Sequence, residues 1–188
     1  MTEPVETPRL MLCPFQAQDV DALHTIQSDP QAMRYTFCAA TRAESEERLR
    51  AYANAEAQLG FAPWTVVLRS EQRIIGWGGL NVDPFDPGWG VEVAYFFDPA
   101  YWGQGYATEL VQASVAHGFG QHELGEIGAF AHQENGASIR VLEKCGFRFL
   151  RFEPKLDRNH YLIRRGDWLA QRQGLHGHEQ PEVSGEPA

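Results

Sequence analysis

The chain has 188 residues, 43% of them hydrophobic and 12% aromatic, with a formal charge of −9. That length and apolar content suit one ordered domain with a substantial core, and no apolar run approaches the roughly 20 residues that cross a bilayer. The acidic balance argues against nucleic acid as the main partner, because phosphate neutralisation needs clustered Lys and Arg; it suits an amine-bearing partner, or simply keeps the protein dispersed. The acidic front of the chain lacks a signal-peptide pattern, so a cytoplasmic protein without a membrane partner is expected. Cys13, Cys38 and Cys145 are an odd, scattered set that suits reduced thiols.

Residues 1–7 are polar and read as a loose end, 8–170 as one domain, and 171–188, rich in Gly, His, Glu, Pro and Ser, as a disordered tail. His176 and His178 read as tail residues rather than metal ligands, since no further ligand of suitable spacing accompanies them, and no metal is expected. A first strand is expected from Arg9 to Phe15, limited by Pro14. Asp19 then caps a short helix with Val20, Leu23 and Ile26 on one side, ending at Asp29-Pro30. Thr41 and Glu44 form a capping-box pattern before a helix over 42–59, and Gly60 follows it. Trp64–Leu68 and Ile74–Val82 read as a hairpin, and Asp83–Gly88 as a turn-rich loop.

The next stretch, from Val91 to Phe97, is an apolar strand leading through Asp98-Pro99 to the pair Gly103 and Gly105. Ala107, Leu110, Val111, Ser114, Val115 and Phe119 then recur at helical spacing, and residues 127–131 give a buried strand. This is a β-α-β crossover with a glycine turn at the carboxyl end of its first strand, where ligands of such sheets sit. Asn135 caps one more helix, in which Ser138, Val141, Leu142 and Cys145 share a face, and Gly146 suits its C′ position. Phe147–Phe152 and Tyr161–Ile163 close the domain around a turn at 157–160.

Glycines in a turn before a helix let main-chain N–H groups face an anion. A Walker loop would need Lys and Ser or Thr where Tyr106 and Ala107 stand, and a dinucleotide fingerprint needs Gly or Ala at Thr108 and a longer parallel sheet. The combination of Trp102-Gly-Gln-Gly-Tyr-Ala107, Asn135-Gly-Ala-Ser138 and Glu143-Lys-Cys-Gly-Phe147 resembles the GNAT N-acetyltransferase superfamily, in particular its ribosomal-protein N-terminal acetyltransferase branch. The resemblance spans about Arg9 to Trp168. It implies an α/β (α+β) domain with a mixed, mostly antiparallel twisted sheet, helices on both faces and a central β-α-β site for acetyl-CoA, the acyl donor.

By the same resemblance, Gly103, Gln104, Gly105, Tyr106 and Ala107 would present amides to the cofactor's pyrophosphate, with a hydroxyl from Thr108. Trp102 stands where many members have Gln or Arg. Val93, Ala94, Tyr95 and Phe96 would offer main-chain contacts to the pantetheine arm, or be ordinary buried strand. Asn135 would contact that arm, or cap its helix. Acyl transfer to an amine needs a base and a proton for the leaving thiolate. Glu92, in the central strand, is the candidate base; a strand glutamate can also face solvent or pair with an arginine. Leu142 stands where many members carry an acidic tyrosine, and Ser138 resembles the serine of the ribosomal-protein branch in that role. Tyr95, Tyr101 and His132 are further polar-tipped neighbours, and Trp64, Trp77 and Trp89 candidate walls on the acceptor side.

The expected activity is acetyl transfer to a primary amine, a protein N-terminal α-amine among the candidates, by direct attack in a ternary complex. A small-molecule acetyltransferase acting on an antibiotic, polyamine or amino acid is an alternative, and so is an inactive acyl-CoA-binding sensor. Both a monomer and a homodimer fit the sequence.

Overall fold

The computed structural model describes residues 3–176. Strands β1 (Val5–Glu6), β2 (Leu10–Pro14), β3 (Trp64–Leu68), β4 (Arg73–Asn81), β5 (Glu92–Phe97), β6 (Glu126–Ala131), β7 (Arg148–Glu153) and β8 (Arg158–Arg164) form one sheet in the order β1-β2-β3-β4-β5-β6-β8-β7. All neighbours in it are antiparallel except β5 and β6, the pair that the crossover makes parallel.

The helices are α1 (Val20–Gln27), α2 (Arg42–Asn54), α3 (Glu56–Leu59), α4 (Tyr106–Gly120), α5 (Gly136–Lys144) and α6 (Arg165–His176). On one face of the sheet Leu23 and Ile26 of α1 and Leu49 of α2 enclose Trp77 and Phe96. On the other, Leu110, Val111, Val115 and Phe119 of α4 cover Leu12, Val66, Ile75, Leu80, Val93 and Ile127, with Leu142 of α5 and Phe147 completing the layer. These two faces are the apolar stripes that the period-two and period-3.6 patterns imply. No helix among the described residues is long and apolar enough to cross a membrane.

Several boundaries differ from the sequence reading. Val5 and Glu6 are not loose but pair with Leu12 and Met11, because β2 offers an otherwise open edge. Helix α6 carries the domain past residue 170 to His176, anchored by Trp168 on Phe119 with ring centroids 5.4 Å apart; the tail reading for 177–188, His178 included, lies outside the described residues. Asp19 does not cap α1. Its carboxylate accepts instead from Gln16 N at 2.9 Å and Thr65 Oγ1 at 2.8 Å, tying the helix entrance to β3. The helix expected over 42–59 divides at Ala55 into α2 and α3. Arg158–His160 belong to β8, and the turn precedes them at 154–157.

One irregularity creates room for a ligand. Strands β5 and β6 pair at Glu92 and Gly128, where Gly128 N donates to the Val91 carbonyl at 2.9 Å, and then diverge. The result is a slit inside the sheet that opens toward the turn between β5 and α4.

Candidate active site

The turn at the end of β5 is built from local signals. The Asp98 carboxylate accepts from Ala100 N at 2.9 Å and starts a single 3₁₀ turn, Pro99–Tyr101. The Trp102 indole donates to the Phe97 carbonyl at 3.0 Å, closing the foot of the slit. Gly103 and Gly105 have φ of 74° and 84°, left-handed conformations that cost other residues about 1 kcal/mol or more. Helix α4 begins immediately afterwards. Among the described residues, no protein group accepts a hydrogen bond from the main-chain amides of Gly103, Gln104, Gly105, Tyr106, Ala107 or Thr108; the Gln104 side chain donates to the Ala100 carbonyl at 3.3 Å. These donors crowd the positive end of a 15-residue helix on an exposed turn, an arrangement that fits a diphosphate.

Main-chain direction divides the four strand residues expected to meet a cofactor arm. The Val91 carbonyl points to β6, so by strand alternation the main-chain groups of Val93 and Tyr95 face that side too: the Val93 N–H meets Gly128 in the one paired position, and the Val93 C=O and both Tyr95 groups face the slit beyond it. Those of Ala94 and Phe96 point the other way, to their partners Gly79 and Trp77 in β4. Ala94 and Phe96 therefore have no free main-chain group for the arm, a correction to their sequence assignment.

Side chains alternate as well. Glu92 lies on the α1–α2 face of β5, beside Asn81, whose amide donates to the Glu92 carbonyl at 3.3 Å. Its carboxyl is largely withdrawn from water and pushed up to about 7, by burial first and then by the Asp83 and Asp86 carboxylates, with Arg158 opposing. Among the described residues it has no salt-bridge partner. A carboxyl balanced near neutrality in a cleft can take up a proton at physiological pH. Of the residues nearby in chain or contact, Trp89 donates to Asp86 at 2.8 Å and packs edge-on against Phe130, and Tyr35, whose carbonyl accepts from Arg158 at 2.7 Å, stacks on His132 with centroids 5.1 Å apart. Trp64 and Trp77 are core residues, 3% and 5% exposed, and form no cleft wall.

On the opposite face Tyr95 projects toward α5, and its phenol and the Ser138 hydroxyl are 2.9 Å apart. Burial pushes the phenol up to about 12, with the Ser138 hydrogen bond opposing. Leu142, one turn later, is 1% exposed and packs in the core. Asn135 caps α5 by accepting from Ser138 N at 3.1 Å. Cys145, whose thiol burial pushes up to about 11, points to the Thr108 carbonyl and packs α5 on the first turn of α4. From sequence, Tyr95 counts among the strand contacts and its side chain takes a minor place. Alternation was the signal available: Val93 and Tyr95 share the face on which the helix after Asn135 packs.

The GNAT acetyltransferase domain model matches residues 9–148, most of the chain and the whole of this site. The chain belongs to the GNAT family. It is an N-acetyltransferase with acetyl-CoA as acyl donor. The acetyltransferase is 29% identical over 176 residues to the uncharacterized N-acetyltransferase YnaD of Bacillus subtilis (strain 168), covering 87% of this chain and 98% of that one. A GNAT-family acetyltransferase structure from Bacillus anthracis superposes with a TM-score of 0.71 at 25% identity, over 87% of this acetyltransferase and 99% of the other chain. AAC(6')-Ib in complex with paromomycin and acetyl-CoA shares the fold, with a TM-score of 0.73 at 20% identity, 87% of this chain and 98% of that one.

Proposed function

We propose that this acetyltransferase acylates a primary amine by direct attack in a ternary complex, with the cofactor's diphosphate on the amides of 103–108 and its arm along Val93 and Tyr95 in the slit. The observation that carries the reading is the slit itself, which runs from unpaired helix-start amides to a carboxyl balanced near neutrality. Acetyl-CoA supplies the thioester carbonyl and leaves as a thiolate that needs a proton. Glu92 accepts the amine's proton, directly or through one water. Ser138 and Tyr95 hold the proton that the thiolate takes, the phenol being protonated at neutral pH. Exchange with solvent after product release resets both groups. Glu92 and Tyr95 are three residues apart, about 10 Å along a strand, and on opposite faces, so base and acid flank the transferred group.

For the acceptor we favour a protein N-terminal α-amine, a reading supported by the resemblance of Trp102–Ala107 and Asn135–Ser138 to the ribosomal-protein branch. The aromatic contact of Trp89 with Phe130, beside the paired strands that carry Glu92 and Gly128, would also suit a small amine. The test is a panel of N-terminal peptides, aminoglycosides, polyamines and amino acids, read by release of free CoA thiol. Peptide-only turnover supports the favoured acceptor, and turnover with small amines alone overturns it in favour of the second. A cofactor-dependent rise in melting temperature without thiol release from any amine would overturn the catalytic assignment and leave an acyl-CoA sensor.

A further inference from the structure

Arg9, the residue before β2, reaches across 95 residues of sequence to the glycine turn: its Nη1 donates to the Gln104 carbonyl at 2.7 Å. The same guanidinium donates through Nε to Glu109 Oε2 at 2.7 Å, and the Arg9 main-chain amide donates to Glu109 Oε1 at 2.8 Å. Thr7 Oγ1 donates to that second oxygen at 2.6 Å. The guanidinium also lies 4.5 Å from the ring centroid of Tyr106, the first residue of α4. One side chain therefore holds the middle of the turn, the first turn of the helix and the ring between them.

Two physical consequences follow from these contacts. In a trans peptide the C=O and the next N–H point in opposite directions, so drawing the Gln104 carbonyl toward Arg9 turns the Gly105 amide away from it, out to the surface. Glu109 puts a carboxylate within one turn of the donors 103–108, where it would repel a bound phosphate. Arg9 neutralises that charge at contact distance, and Thr7 with the Arg9 amide occupies its remaining oxygen.

We infer that Arg9, supported by Thr7 and Glu109, is a positioning residue for the cofactor: it aims the Gly105 amide at the diphosphate and cancels the neighbouring carboxylate. This inference rests on the diphosphate reading of residues 103–108. It makes the segment before β2, 100 residues away in sequence from Glu109, part of the donor-binding apparatus.

The test compares acetyl-CoA with S-acetylpantetheine, a donor that lacks the diphosphate, in wild type and in Arg9→Met, Arg9→Lys and Gly105→Val. Arg9→Met is expected to raise KM for acetyl-CoA about tenfold, the ratio that loss of a charge-assisted hydrogen bond brings. KM for the acceptor and kcat/KM for S-acetylpantetheine should change less than about twofold. Arg9→Lys keeps the charge but cannot span the Gln104 carbonyl and Glu109 together, so an intermediate KM is expected; it also serves if Arg9→Met does not fold. Equal losses with both donors, or a wild-type acetyl-CoA KM in the Arg9 variants, would overturn the inference. If Gly105→Val leaves the acetyl-CoA-induced rise in melting temperature intact, or wild type uses both donors equally well, the diphosphate reading itself fails. Loss of that rise in Gly105→Val with a wild-type KM in Arg9→Met overturns the role of Arg9 alone.

Discussion

The phenol of Tyr95 and the hydroxyl of Ser138 meet at 2.9 Å, linking the central strand to the helix that follows Asn135. By the family resemblance Leu142 fills the place from which many members present an acidic tyrosine, while the phenol that lies beside Ser138 belongs to a strand. If the two hydroxyls serve the leaving thiolate as one unit, Tyr95→Phe and Ser138→Ala should each reduce turnover about a hundredfold. The double variant should lose little more than the worse single. The rise in melting temperature with acetyl-CoA should persist in all three, which separates chemistry from binding.

Glu92 gives a pH signature. Its carboxyl, raised to about 7, must be ionised to act as base, so kcat/KM should climb through an apparent pKa near 7, and Glu92→Gln should abolish that limb together with most of the activity. The stability effect has the opposite sign. A carboxyl whose folded-state pKa is raised favours the folded state below its unfolded value, and that contribution is lost as pH rises through the folded value. At pH 8 the ionised carboxylate, largely withdrawn from water, therefore costs stability, and Glu92→Gln should melt no lower than wild type there while gaining least at pH 4, below the ordinary carboxylate value. Paired melting curves at the two pH values check this.

Gly78 makes way for Tyr95. A Cβ at Gly78 would lie 2.5 Å from the Tyr95 Cβ and 2.6 Å from the Ala94 carbonyl oxygen, closer than real contacts allow. Gly78→Ala should part β4 from β5, destabilise by about 1–3 kcal/mol in urea unfolding, and lower turnover by moving the phenol from Ser138. A fully active Gly78→Ala would show that the placing of Tyr95 is immaterial.

Gly103 and Gly105 should respond differently from core glycines. A Cβ on Gly103 meets nothing within 4 Å, so the cost of Gly103→Ala is the backbone strain of φ 74°, about 1 kcal/mol. The expected outcome is a modest fall in the cofactor-free melting temperature and a rise in KM for acetyl-CoA.

Much of this was written locally. The β3–β4 hairpin, the β5–α4–β6 crossover, the Thr41 and Asn135 caps and the glycine turn each carry their signals within a few residues, and each forms where those signals stand. What could not be read depends on partners far away in sequence. Asp19 looks like a helix cap until Thr65 arrives from β3, and the polar Thr7 looks loose until Glu109 arrives from α4. Composition also fails to separate a tryptophan in the core from one in a cleft: Trp64 and Trp77 are buried while Trp89 is half exposed. For the candidate site, motif spacing points to the turn and to Ser138, whereas the Tyr95 phenol beside Ser138 shows only once it is known which face of β5 meets α5.

A divergence between two interior strands leaves raw hydrogen-bonding edges in the middle of a sheet, the kind of surface that recruits stray chains. Helix α4 packs against both strands across the junction, so the edges are covered on that face. The protein's exposure to self-association should therefore depend on how much ligand surrounds it, being greatest when nothing threads the gap and falling once main chain and ligand zip together. Light scattering during a slow thermal ramp, with and without CoA, is where that dependence would appear.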